Sequence, residues 1–217
     1  MQFSKKKKCN GNCEETHSPE QEGGGSICVE FNELVEDFLI KTRRLLISGV
    51  IDEITSLQTC SYLQVFSLSK DPIYMYINSP GGCMSSGYAI IDQMAACRAP
   101  INTIVRGYAH SMGAMIAMYG TKGFRFATPN SSMMLHSIVI QAPADSIEKH
   151  LAMTGYLKDD YDKKVTDLAK RSKLSPKKLK ELMRDTGWMS PKQAMKIGLI
   201  DGIWTPKMEQ QIDGDFI

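Results

Sequence analysis

Ile73-Tyr74-Met75-Tyr76-Ile77-Asn78-Ser79-Pro80-Gly81-Gly82 is the stretch on which the fold of this chain turns. Its first five residues are apolar or aromatic and carry no charge, as in a strand covered on both faces, and Asn-Ser-Pro-Gly-Gly stops that strand abruptly. Residues 85–96 then read as a helix, and 101–105 as a second strand ending at Gly107. A strand, a helix and another strand form a crossover unit, which pairs its strands in parallel.

Working outward, residues 111–119 are small and apolar, a buried helix starting at a strand end. Short strands follow at 124–127 and 133–135, separated by Thr128-Pro129-Asn130. A long, highly charged amphipathic helix spans 146–172, and Ser175-Pro176 supplies a cap and first position for another helix through about Met183. Upstream, apolar residues recur at helical spacing over 31–44, Leu45-Leu46-Ile47 reads as a short buried strand, and 54–69 is again helical up to the break at Asp71-Pro72. The fold class is therefore α/β with a largely parallel sheet.

The chain has 217 residues, 42% of them hydrophobic, with a formal net charge of +2. That is enough apolar material for one domain, and the charge balance gives no reason to expect nucleic acid or an anionic membrane as partner. No run reaches the roughly 18 apolar residues of a membrane helix. Residues 1–26 read as a flexible tail or leader in which Lys5 to Lys8 offset four glutamates, 27–207 as the domain, and 208–217 as a carboxyl-terminal tail. The basic start lacks the apolar core of an export signal, and six dispersed cysteines suit free thiols in a reducing cytoplasm. Cys9, Cys13 and His17 recur at four-residue intervals and Cys28 would complete a zinc site, but their polar surroundings favour a tail without metal.

Both glycine-bearing strand ends belong on the edge of the sheet where α/β proteins bind ligands. Ser111 stands where a helix begins, so its hydroxyl is either a nucleophile beside free N–H groups or merely the helix cap. Gly82 offers an N–H with no side chain to block a carbonyl's approach, although a Gly-Gly pair is also an ordinary turn. The loop lacks the Gly-Lys-Ser/Thr ending of a phosphate loop. His136 ends the strand 133–135 on the same edge and is the best general base, with His110 as competitor. Asp185, in the turn after the helix ending near Met183, is the carboxylate to orient an imidazole, or a turn former. The order Ser, His, Asp differs from that of α/β-hydrolases, and Ala109-His110-Ser111-Met112-Gly113 lacks their first elbow glycine.

These residues resemble the family of Clp protease proteolytic subunits, ClpP. The match rests on the opening strand and turn, on Ser111-Met112-Gly113-Ala114, Lys122 to Asn130, Met134-Leu135-His136, Arg184-Asp185 and Gly198-Leu199-Ile200-Asp201. It covers about residues 38–204, and the intervals of 25 residues from Ser111 to His136 and 49 from His136 to Asp185 equal the family's.

The resemblance implies Ser111 as nucleophile, His136 as base, Asp185 as its carboxylate, and the N–H groups of Gly82 and Met112 as oxyanion donors. It also implies docking of an AAA+ unfoldase at Tyr74, Tyr76, Phe126 and Trp204, and a contact between rings at Arg184. The fold implied is crotonase-like, a sheet head with a helical handle, assembled as two stacked seven-membered rings, homomeric or mixed, around a chamber for unfolded polypeptides. No metal or organic cofactor is implied, ATP being used by the unfoldase. Ser137-Ile138-Val139-Ile140-Gln141-Ala142 stands where the family usually has Gln-Pro and glycines, His110 where it has alanine, and one extra residue separates Asp185 from Trp188. Two rival readings are a non-catalytic ring subunit supporting an active paralogue and an acyl-CoA enzyme of the crotonase type.

Overall fold

A computed structural model of the chain describes residues 24–139 and 145–214, with side chains from residue 33 onward. Cys9, Cys13 and His17 lie outside the described residues, as do Ile140, Gln141 and Ala142. The chain divides into a unit ending at Asp37 and a second from Phe38 to Ile217, which holds every site residue discussed below.

Helix α1 (Gly24–Lys41) begins in the glycine run read as tail and ends three residues short of the helix expected over 31–44. The reason for the early stop is Arg43, which takes φ +52° and donates from its guanidinium to the carbonyls of Phe66 and Asp71 at 2.6 and 2.9 Å. That turn launches β1 (Arg44–Ile51), longer than the expected strand. Helix α2 (Glu53–Phe66) is capped by Asp52, whose carboxylate accepts from the Thr55 N–H at 2.8 Å.

The central strands β2 (Ile73–Gly82) and β3 (Ile101–His110) run parallel and flank α3 (Met84–Ala96) in sequence. Helix α4 (Met112–Met118) is buried at all seven positions, which its freedom from charge permits. Strands β4 (Arg125–Ala127) and β5 (Ser132–Leu135) both pair with β3, β4 at Thr103 to Val105 and β5 at Tyr108 to His110. One long strand thus passes from the main sheet into the layer that carries His136.

Helix α5 (Ile147–Lys170) buries only Val165, Leu168 and Ala169, so most of it projects from the core as the expected handle. Helix α6 (Pro176–Arg184) is capped by Ser175. Beyond it come four short elements that the sequence pattern did not disclose: β6 (Gly187–Met189), α7 (Pro191–Lys196), β7 (Gly202–Ile203) and α8 (Pro206–Gly214). Strand order is β1-β2-β3-β4-β7, all parallel, with β5 beside β3 and β6 antiparallel to β5. The core holds a main cluster between sheet and helices and a smaller one around Tyr76, Ile104, Trp204 and Ile212. Among the described residues no helix is long and apolar enough to cross a membrane.

Candidate active site

Ser111 links β3 to α4 with φ +53° and ψ −121°, a conformation rare for any residue bearing a side chain. Its hydroxyl makes no cap hydrogen bond, which sets aside the bland reading of this serine as a helix cap. The backbone is held there from two sides. The Ser111 N–H donates to the carbonyl of Met134 at 2.8 Å, tying the turn to β5 two residues before His136. Opposite lies Gly81, at φ +96°, so close that a Cβ on it would sit 2.7 Å from the Ser111 Cβ and 2.8 Å from the His110 carbonyl oxygen. At Gly82 a Cβ would stand 2.3 Å from the carbonyl oxygen of Ile51, so only glycine lets β2 end against β1. Strain that a tight surround maintains is a feature that clusters at functional sites.

Ser111, His136, Gly82 and Met112 line one cavity of about 300 Å³, and Met84, Met115, Val165 and Leu168 give it an apolar wall. His136 Nδ1 lies 2.5 Å from the carbonyl oxygen of Ser137, whose own N–H donates to the Met183 carbonyl at 2.9 Å. His136 is thereby tied, through its neighbour, to the end of α6. The competitor His110 is occupied elsewhere, its Nε2 3.1 Å from Ser132 Oγ and its ring between those of Tyr108 and Trp188. Burial pushes the pKa of His110 down.

Asp185 stands apart from this pair. It terminates α6, and its carboxylate accepts from Arg184 Nε at 3.0 Å, with the two side chains 68% and 71% exposed. The Arg184 guanidinium holds the Asp185 carboxyl below its ordinary pKa. The structure therefore brings Ser111 and His136 to one cavity and leaves Asp185 on the adjoining turn, engaged with its chain neighbour.

Cys83, next to Gly82, is exposed, with Sγ 3.0 Å from Ser85 Oγ. Hydrogen bonding from Ser85 and Ser86 brings its pKa down to about 7, whereas burial raises Cys60 and Cys97. Since the thiolate is the reactive form, iodoacetamide at neutral pH is expected to alkylate Cys83 well ahead of those two, as read by peptide mass mapping. Equal labelling of the three would contradict the assignment.

Tyr74, Tyr76, Phe126 and Trp204, the four residues at which docking was expected, gather around one patch. Phe126 and Trp204 have ring centroids 5.1 Å apart, and Tyr76 and Trp204 belong to the smaller core cluster against which Tyr74 and Phe126 pack. Sequence reasoning missed Glu209, on α8, which accepts hydrogen bonds from Tyr76, Trp204 and Arg106. Its partners are remote in sequence, so no local pattern pointed to it.

The family model for Clp protease matches residues 30–207. An ATP-dependent Clp protease proteolytic subunit of Ligilactobacillus salivarius is 37% identical over 175 residues, covering 78% of this chain and 86% of the relative. Another from Leuconostoc citreum is 35% identical over 183 residues, covering 79% and 88%. The chain belongs to the Clp protease family.

Proposed function

We propose that the chain is the proteolytic subunit of an ATP-dependent Clp protease, a serine endopeptidase with Ser111 as nucleophile. The observation that carries the assignment of Ser111 is its strained, uncapped turn, tied by its own N–H to the strand that delivers His136. In the reaction Ser111 Oγ bonds to the peptide carbonyl carbon while its proton passes to His136. The N–H groups of Gly82 and Met112 stabilise the oxyanion, and His136 returns the proton to the departing amine. Water, deprotonated by the same imidazole, then releases the acyl group and restores the serine. Asp185 supports His136 Nδ1 once the carboxylate leaves Arg184 and the imidazole leaves the Ser137 carbonyl; the exposed ion pair of Arg184 and Asp185 is the weakly held kind. These are proton and acyl transfers, and the residues named supply them without a metal or organic cofactor.

Assembly into stacked rings is part of the same proposal. Ile54, Leu57 and Val65 are exposed apolar residues on α2, as is Leu68 just past its end, and Ile147, Leu151 and Tyr156 are exposed on α5. Apolar surface of this extent suits interfaces between subunits. In the assembly, an AAA+ unfoldase docked at Tyr74, Tyr76, Phe126 and Trp204 spends ATP to deliver unfolded polypeptide.

Treatment of the assembled protein with a fluorophosphonate, followed by peptide mapping, tests the chemistry. A single adduct on Ser111 is expected. Labelling at another residue, or none in the assembled particle, would overturn the assignment.

A further inference from the structure

Helix α8 lies almost wholly past the last residue matched by the family model, yet it is integrated into the aromatic patch. A single carboxylate, Glu209, accepts from Tyr76 Oη, Trp204 Nε1 and Arg106 Nη2, each at 2.7 Å. One turn further on, Asp213 accepts from Arg44 Nη2 at 2.5 Å. Between these anchors Ile212 is 7% exposed and packs with Tyr76 and Trp204, each 5% exposed. Burial, followed by the hydrogen bond to Glu209, raises the pKa of Tyr76.

We infer that α8 is a detachable strap occupying the unfoldase-docking patch of its own chain, so that a partner's loop must displace it to bind. The inference rests on the docking assignment proposed above and adds the regulation of that patch. The physical case lies in the kind of contacts made. Apart from the apolar residues Met208 and Ile212, α8 holds on through two carboxylates, Glu209, 25% exposed, paired with Arg106, 52% exposed, and Asp213, 45% exposed, paired with Arg44, 6% exposed. Each ion pair thus has one member open to water, which screens it. At nine residues, α8 is also too short to persist as an isolated helix, so it is ordered by the patch it covers.

Release of α8 uncovers an aromatic floor and leaves four donors without their carboxylates: two guanidiniums, a phenol and an indole N–H. Such a surface fits a segment that combines an aliphatic side chain with a carboxylate, the chemistry α8 itself presents in Ile212, Glu209 and Asp213. The displacing loop is therefore expected to be apolar with an acidic residue beside it.

The test uses Trp204 as reporter in a full-length Trp188→Phe background, where it is the sole tryptophan. Iodide is expected to quench Trp204 poorly in that chain, and several-fold more strongly after Glu209→Ala with Ile212→Ala. A synthetic peptide of residues 206–214 added in excess should restore protection, and the same peptide with lysine in place of Glu209 and Asp213 should not. Hydrogen exchange on the unmutated chain needs no variant: the amides of α8 should exchange far faster than those of β3, by local opening. Unchanged quenching in the double variant, failure of the acidic peptide to protect, protection by the lysine peptide, or exchange of α8 as slow as β3 would each overturn the inference. None of these readings depends on catalysis, so they are independent of the fluorophosphonate result at Ser111.

Discussion

Ser111→Ala is expected to remove peptide-bond cleavage by a factor of about 10⁶, the scale seen when a serine peptidase loses its nucleophile. The backbone at this position predicts something further. With φ +53° and ψ −121°, Ser111 sits where residues bearing a Cβ pay roughly 1–3 kcal/mol, and alanine inherits that strain. Glycine does not. Ser111→Gly should therefore be as inactive as Ser111→Ala but more stable than the parent, and thermal unfolding of the three proteins beside a peptide-hydrolysis assay separates the effects. Robust hydrolysis by Ser111→Ala would remove Ser111 from the mechanism. Equal stability of the glycine and alanine variants would show that the turn is relaxed in solution.

The second large effect is structural. Arg125 and Asp201 form a two-pronged pair, Nε to Oδ2 at 2.8 Å and Nη2 to Oδ1 at 2.5 Å, with side chains only 4% and 20% exposed. Asp201 also accepts from the Gly123 N–H, while Arg125 Nη1 donates to the carbonyl of Arg171 at the end of α5. The pair thus fastens β4, the approach to β7 and the base of the handle together. Asp201→Ala strands a buried guanidinium and should cost about 3–5 kcal/mol, measured by denaturant unfolding. A loss no larger than that of an ordinary surface variant would contradict this account.

The pH dependence has a definite sign. Burial alone would raise the pKa of Asp201, but the hydrogen bonds and charge of Arg125 outweigh it and the folded value lies below the ordinary one. Stability from this carboxylate is therefore fully present above its unfolded pKa of about 3.9, and is lost as pH falls through the lower folded value. The acid-unfolding profile of Asp201→Asn should lack that component.

The sequence carried the long elements well because their signals are local. Ile73 to Ile77 and Ile101 to Val105 are apolar runs closed by glycine turns, and Ser175-Pro176 is a cap followed by proline, so each strand or helix declares itself within a few residues. Strands β6 and β7, of three and two residues, have no period to read, because they exist only through pairing with β5 and β4. At the site, strand-end placement sufficed to select Ser111 and His136, which share the cavity. The strain at Ser111 was invisible, being imposed by Gly81 and the carbonyl of Met134 rather than by its own neighbours in sequence. Asp185 was chosen on residue type and spacing, neither of which discloses that Arg184 holds its carboxylate. The role of α8 was hidden for a related reason: Glu209 meets Tyr76 and Arg106 across 133 and 103 residues of chain, and what read as a tail is ordered by distant donors.

The bond from the Ser111 N–H to the Met134 carbonyl bears also on how the protein is made. A ribosome extends the chain from its amino terminus, so Ser111 emerges well before β5 exists to clamp its turn, and before His136 and Asp185 have been added. Until then the serine lacks the backbone bond that fixes its turn. On the proposed reading, the order of residues along the chain thus delays completion of the nucleophile's turn until β5 has been made.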